Sequence, residues 1–310
     1  MKEGIKIFAP ATVANVACGY DILGFAIDQP GDEVIGYLSD KPGLRITKIT
    51  GDEGKLPYEV EKNTASFAAM RVLEHLGKTG IGIEMEIHKK MPFSSGLGSS
   101  SASAVAGAMI VNELLGKPLS KRDLLHFAVL GEQVADGAYH ADNVAPSLLG
   151  GLILIRDNPS LDVHSIPFPN GLYASVVHPQ VKIRTADARA ILSDKVTLNQ
   201  TVEQTGNVAG LIVGMYNSDL DLIGRSLNDV IIEPQRAQLI PHFHKVKEAA
   251  LNQGALGCSI SGAGPSVFAL SINKAIAEKV GQAMHKAFFD NGIENELFIS
   301  TINKEGAIRI

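Results

Sequence analysis

The sequence predicts an α+β protein built as two domains. Three observations carry this. Strand-like alternation and helix-like periodicity both occur in each half of the 310 residues. The length suits one large domain or two ordinary ones. Around 156–171 the stretch RDNPSLDVHSIPFPNG is rich in proline, asparagine and glycine, as a domain boundary often is. The division is therefore set at 1–165 and 166–310.

Taken in order, GIKIFAP alternates and reads as a strand, with EVIGYLS and LRITKI as further short strands. A helix is expected from Thr64 to Leu76, with Asn63 as its N-cap and Gly77 as its stop. IGIEMEIHKKMP returns to strand and leads into a loop. A small-residue helix then runs from about Ser99 to Leu115, ended by Gly116 and Pro118. A further helix follows the Ser120 cap, and GGLILI closes the first half as a strand. The second half offers LYASVVHP as a strand and several helices between Thr185 and Asn252. LGCSISGAGPSVFALS reads as strand, tight turn, strand; a helix (about Ala275–Phe289) and the strand ELFIST complete it. There is no internal repeat.

Composition narrows the function. With 45% hydrophobic and 20% charged residues the chain can build a core. A net charge of −5 without any run of like charge argues against nucleic-acid binding. Two cysteines, Cys18 and Cys258, make no disulfide scaffold and suit a reducing compartment. The N-terminal MKEGIKIFAP meets a proline before any long apolar run, so it does not read as a secretory leader, and no stretch spans a bilayer. Cytoplasmic residence is expected.

The stretch PFSSGLGSSSAS, from Pro92 to Ser103, is the strongest local signal. Gly96 and Gly98 let the backbone turn tightly and come close to a ligand. The helix that follows presents unpaired N–H groups and a partial positive charge, worth about 0.3–1 kcal/mol per anion contact at an exposed site. A phosphate would sit well there; so would a plain capped turn with no ligand. Ser101 stands where a dinucleotide-binding GxGxxG would have its third glycine. GKT at Gly77–Thr79 imitates a Walker A ending, but Val72 occupies the position that motif reserves for glycine.

PFSSGLGSSSAS resembles the phosphate loop of the GHMP kinases, Pro-x-x-x-Gly-Leu-Gly-Ser-Ser-Ala, with Ser101 in place of the alanine. KIFAPATVAN looks like that family's N-terminal motif and SISGAGPSVFAL like its third, glycine-rich motif. Three motifs in the expected order, spread over nearly the whole chain, are far more specific than one. The resemblance implies an N-terminal ATP-binding domain like domain 2 of ribosomal protein S5, with its left-handed βαβ unit, and a ferredoxin-like C-terminal domain. ATP and substrate would lie between them. PATVANVACGYDILGFAID, with Tyr20 where phenylalanine is usual, HADNVAPSLLGG and IIEPQR are most similar to the branch that phosphorylates the side-chain hydroxyl of L-homoserine.

The resemblance assigns residues. Asn63, Pro92, Ser94, Ser95, Gly96, Leu97, Gly98, Ser99, Ser100 and Ser101 would bind ATP. Glu132 with Ser99 or Ser100 would hold Mg²⁺, a cation that takes hard oxygen ligands. Asn15, Asp21, His140, Asp142, Thr185, Arg189, Arg236 and Gly262 would bind the substrate. The chemistry agrees: a carboxylate suits the planar fork of arginine, and an ammonium suits an aspartate. Asn15, Asp21, Ser99 and Glu132 would act on the reacting groups, with Asn15 and Asp21 orienting the hydroxyl and no evident general base. Read singly, each has a plainer role: Arg189 and Arg236 as surface helix residues, Asp21 and Asn15 in turns, His140 in a core, Glu132 on a solvated helix face. Their joint placement decides. Cys18 reads as a packing residue and Gly262–Gly264 as a turn bracing the phosphate loop. A homodimer is expected. Two rivals are another kinase of the family, for mevalonate or a sugar, and a binding protein of the same fold without turnover. The paired arginines with Asp21 favour a zwitterion over a sugar, and Glu132 with the loop serines favours turnover.

Overall fold

The computed structural model describes residues 4–137 and 139–310, the side chain of Asp136 apart. The first three residues of the N-terminal stretch thus lie outside the described part. The first half runs β1 (Ile5–Ala14), β2 (Leu23–Ser39), β3 (Leu44–Thr50), α1 (Thr64–His75), β4 (Gly82–His88), α2 (Ser99–Leu114), α3 (Lys121–Asp136), α4 (Val144–Leu149), β5 (Leu152–Asp157) and β6 (Asp162–Ile166). The second half runs β7 (Tyr173–Pro179), α5 (Thr185–Ala190), α6 (Leu198–Asn217), α7 (Leu220–Ser226), α8 (Glu233–Arg236), α9 (Phe243–Asn252), β8 (Gly257–Ile260), β9 (Val267–Ser271), α10 (Lys274–Phe289), β10 (Asn295–Thr301) and β11 (Ile308–Arg309).

Seven strands form the first sheet, with β11, β1, β2, β4 and β3 side by side, β5 on the far stretch of β2, and β6 on β5. Its pairings are antiparallel except β3 with β4, which are parallel and joined through α1. α2, in which seven of the twelve buried residues are alanine, glycine or serine, packs close to α1 and α3 beneath this sheet. The second sheet has the order β10-β7-β9-β8, all antiparallel, with α9 and α10 packed together and α10 on the sheet. That order, with helices after its first and third strands, is the expected ferredoxin-like arrangement. Phe25 of β2 meets Phe268 of β9 edge to face at 5.9 Å, so the two sheets share one apolar core.

The helix caps follow local chemistry. Asn63 accepts from the Ala65 N–H at the start of α1, and Ser120 and Asp123 form a reciprocal capping box on α3. Three elements escape the sequence reading. β6 lies inside the stretch taken as a boundary, and α4 is a six-residue helix carrying Pro146. β11 brings the C-terminus back to pair with β1, while Ile302 bridges to Ile27. No helix among the described residues is long and apolar enough to cross a membrane.

Candidate active site

The phosphate loop is fixed at several points. Leu97 accepts from the Thr12 N–H of β1 at 3.0 Å, and the Thr12 hydroxyl donates to Asn143 at 2.7 Å. The turn between β8 and β9 closes over the loop: the Ser261 hydroxyl donates to the Gly96 carbonyl at 2.8 Å, and the Ser266 N–H to the Ser95 carbonyl at 3.2 Å. The bracing role read for this turn is what the geometry has. Gly96 and Gly98 both have left-handed φ, 75° and 70°, and no room for a side chain. A Cβ on Gly96 would stand 2.4 Å from the Ser261 carbonyl, and one on Gly98 2.3 Å from the Thr12 hydroxyl. Gly98 is also the N-cap of α2 and gives no side-chain bond to the first turn, so the leading N–H groups face the loop without a side-chain cap.

A cleft of about 440 Å³ opens here. It gathers most of the residues singled out in the sequence: Asn63, Ser94, Ser95, Gly96, Gly98, Ser99 and Ser100 of the nucleotide set, Asn15, Asp21, His140, Asp142, Thr185, Arg189, Arg236 and Gly262 of the substrate set, and Glu132. Pro92, Leu97 and Ser101 are outside the lining. Leu97 and Ser101 are fully buried, so their side chains point into the core, and only their backbone is near the loop surface. Asn63 lines the cleft, but its side chain is engaged in the α1 cap and in a 3.0 Å bond to the Pro57 carbonyl.

The loop serines divide in their partners. The Ser100 hydroxyl donates to Glu132 at 2.7 Å, within the cleft. The Ser99 hydroxyl donates at 2.8 Å to Asp32, which is fully buried. Asp32 also pairs with Lys89 and accepts from the N–H groups of Lys90 and Met91. This buried group was missed in the sequence, because Asp32 on β2 and Lys89 just past the end of β4 lie 57 residues apart and nothing local links them.

At the other end, Asn15, Val16 and Ala17 form a consecutive left-handed run with φ of 71°, 44° and 60°, and Asp21 follows at 58°. Such backbone persists only where its surroundings over-determine it. Here they do. The Asn15 amide donates to the Gly262 carbonyl at 2.9 Å and accepts from the Asp21 N–H at 3.1 Å. Asn158 donates to the Asp21 carbonyl at 3.0 Å and accepts from the Ala141 N–H at 2.9 Å, tying this loop to the His140–Asp142 segment. Asn158, inside the stretch read as a boundary, is a second residue the sequence did not reveal.

The Arg189 guanidinium donates to both oxygens of Asp21, at 3.1 and 3.3 Å, in a half-exposed bidentate pair. Arg236 is only 3% exposed, which corrects the plain reading of it as a surface residue. Its guanidinium donates to the carbonyls of Ala188 and Gly262, both at 3.0 Å, and lies 5.0 Å from the Tyr20 ring. Burial lowers its pKa from the ordinary value, opposed by Tyr20 and Asp21. Burial likewise raises the Tyr20 hydroxyl, with Asp21 adding to it. His140 Nδ1 stands 2.7 Å from Asp142, which fixes the ring. Cys18 is buried and its thiol is pushed up to about 12, chiefly by desolvation, which suits packing and not nucleophilic attack. Cys258 is buried and raised in the same way.

A glycine-rich loop opening a helix, in a cleft that carries a carboxylate and a guanidinium–carboxylate pair between two α+β units, defines a class: a small-molecule kinase. The family models agree in both halves. The model described as GHMP kinases N terminal domain matches residues 63–151, and GHMP kinases C terminal matches residues 211–291. The chain belongs to the GHMP kinase family. It is 50% identical to a homoserine kinase of Chlorobium phaeobacteroides, with 98% of each chain covered. It superposes on the crystal structure of homoserine kinase from Cytophaga hutchinsonii with a TM-score of 0.98 at 55% identity, covering 100% and 98% of the two chains. A mevalonate kinase of L. major shares the fold alone, at 20% identity and a TM-score of 0.72, covering 97% of this chain and 99% of its own.

Proposed function

We infer that this chain transfers the γ-phosphoryl group of ATP to the side-chain hydroxyl of L-homoserine, giving O-phospho-L-homoserine for threonine synthesis. The observation that carries the choice of substrate is the Asp21–Arg189 pair beside the buried Arg236. It is a positive and a negative group set where a zwitterion can exchange with both: its carboxylate to the arginines, its ammonium to Asp21. Mevalonate would offer the arginines a carboxylate but leave Asp21 without a cation, and a sugar would offer neither charge in exchange for the pair. The names of the relatives at 50% and 55% identity point the same way.

The residues then take roles. The first N–H groups of α2 and the backbone of Ser94–Ser101 receive the phosphates. Asn15 keeps one amide N–H and one lone pair without a protein partner among the described residues, and these hold the substrate hydroxyl. His140, Asp142, Thr185 and Gly262 wall the substrate end. In the reaction the hydroxyl oxygen forms its bond to the γ-phosphorus as the bond to the β-phosphate oxygen breaks. The hydroxyl proton leaves to a phosphoryl oxygen or water. Most of the catalysis is positioning and charge neutralisation.

The donor set fits Mg²⁺. One carboxylate, Glu132, stands beside the Ser100 hydroxyl at the start of α2. That is the sparse, hard-oxygen set which a phosphate-bridging Mg²⁺ uses. Of the two serines, Ser100 is the metal partner in this reading, since it already meets Glu132, whereas the hydroxyl of Ser99 is committed to Asp32. When bound, the cation would neutralise charge on the β- and γ-phosphates.

We further propose a cytoplasmic homodimer that binds neither membrane nor nucleic acid. Two buried free cysteines suit a reducing compartment. Exposed Leu198, Val202, Val213 and Tyr216 run along α6, which carries one charged residue, Glu203. A face of this kind suits pairing with a second copy. An ADP-release assay with ATP, Mg²⁺ and a panel of L-homoserine, mevalonate and galactose tests the activity. Turnover specific to homoserine is expected; preference for another member of the panel, or none at all, would overturn the reading.

A further inference from the structure

We propose that the buried Asp32–Lys89 pair is a positioning device for the phosphate loop, with Asp32 set one layer behind it. It rests on the nucleotide reading of the cleft and adds residues that reading does not name. The side chains of Asp32 and Lys89 are 0% and 2% exposed. A buried pair is expensive to desolvate and contributes little net stability against an apolar pair of similar shape. What this pair holds is specific. Lys89 Nζ donates to the Ser99 carbonyl at 2.8 Å and to the Ser103 hydroxyl at 2.6 Å, spanning the first turns of α2. Asp32 takes the Ser99 hydroxyl at 2.8 Å and the N–H groups of Lys90 and Met91 at 2.8 and 3.1 Å. Four donors thus converge on one carboxylate, which fills its lone-pair sites.

The consequence is geometric. Both sides of the loop, where β4 leaves and where α2 begins, are tied to one fixed charge pair. The Ser99 peptide is held at its carbonyl and its side chain together, so the N–H groups of the α2 first turn keep one direction without nucleotide. The Ser99 proton is drawn inward, which leaves Ser100 as the serine engaged with Glu132 in the cleft. Lys89 itself reaches the cleft lining, whereas Asp32 does not, so Asp32 acts through the loop alone.

The test is calorimetric titration of ADP into the full chain, with the KM for homoserine measured beside it. Asp32→Asn/Lys89→Met removes both charges at similar volume, a change that folded proteins tolerate. Its ADP affinity is expected to fall roughly tenfold or more, with the homoserine KM within about twofold, because displaced loop amides affect only the phosphates. Ser103→Ala, an exchange to a better helix former, removes one Lys89 partner; a loss of about threefold in ADP affinity, again with the homoserine KM unmoved, is expected. A purely structural role would lower the melting temperature and leave ADP affinity as in the parent, or weaken both ligands alike. Either result in Ser103→Ala, or in the double variant once folded, overturns the proposal. If the parent chain itself fails to bind ADP, the nucleotide reading fails instead.

Discussion

Asp21 and Arg189 neutralise each other across the open end of the cleft, and that pairing makes a sharp prediction. Arg189→Leu removes a charge-assisted partner of the substrate carboxylate, worth about 1.5–3 kcal/mol. The homoserine KM should rise about 10- to 100-fold while the ATP KM stays near the parent value. Equal losses for both ligands in steady-state kinetics would remove Arg189 from the substrate site. Arg236 is the poorer choice for this test, because its guanidinium also supports the Ala188 and Gly262 carbonyls. Glu132→Gln keeps the shape and removes the charge. Turnover should fall by on the order of 10²–10³ with an unchanged melting curve; near-parent kcat would reject Glu132 as the metal carboxylate. These charged residues were legible in the sequence only as members of motifs. Singly, each had a plainer reading, and the separation of 168 positions between Asp21 and Arg189 hides their contact. Asn158 and Asp32 stayed hidden because polar residues at a turn or a strand bend carry no signature until the fold brings donors to them.

The elements themselves were read best where their signals are local. Asn63 before α1 and the Ser120–Asp123 box before α3 follow from side chains that bond the nearest free N–H groups. β6 was lost because its five residues sit among turn formers, and α4 because six residues with an internal proline show no helical period. The loop-to-helix junction carries the heaviest local constraint. Gly98→Ala would force a side chain into left-handed backbone and against Thr12. A loss of about 1–3 kcal/mol in urea unfolding is expected, with a raised ATP KM; an unchanged denaturation midpoint would mean that the loop is not held as described. On β7, His178 is buried against Ser266 and its pKa is pushed down to about 4 by desolvation. The unfolded chain therefore binds the extra proton first, between about pH 6.5 and 4. Stability should fall on acidification through that window, by at most about 1.4 kcal/mol per pH unit from this group. His178→Gln should flatten that part of the melting temperature against pH curve, and an unaltered slope would show that the ring is not kept neutral.

At the scale of the whole molecule, the sequence-level outline of two α+β units held, including the ferredoxin-like order of the second sheet. The return of β11 to β1 did not show, since two residues of edge strand are too short for any pattern, and their partner lies at the opposite end of the chain. That return and the shared Phe25–Phe268 core tie the sheets together, and the β8–β9 turn, bonded to the phosphate loop through Ser261 and to Arg236 through Gly262, joins the two halves at the cleft. The central claim is that phosphates rest on the α2 first turn while a zwitterion lies against Asp21 and the arginines. A crystal structure with a non-hydrolysable ATP analogue and L-homoserine tests it most directly. The account predicts phosphate oxygens on the N–H groups at Ser99–Ser101 and the homoserine hydroxyl turned towards the γ-phosphate. Nucleotide bound elsewhere with that cradle empty, or homoserine lying away from Asp21 and Arg189, would contradict it.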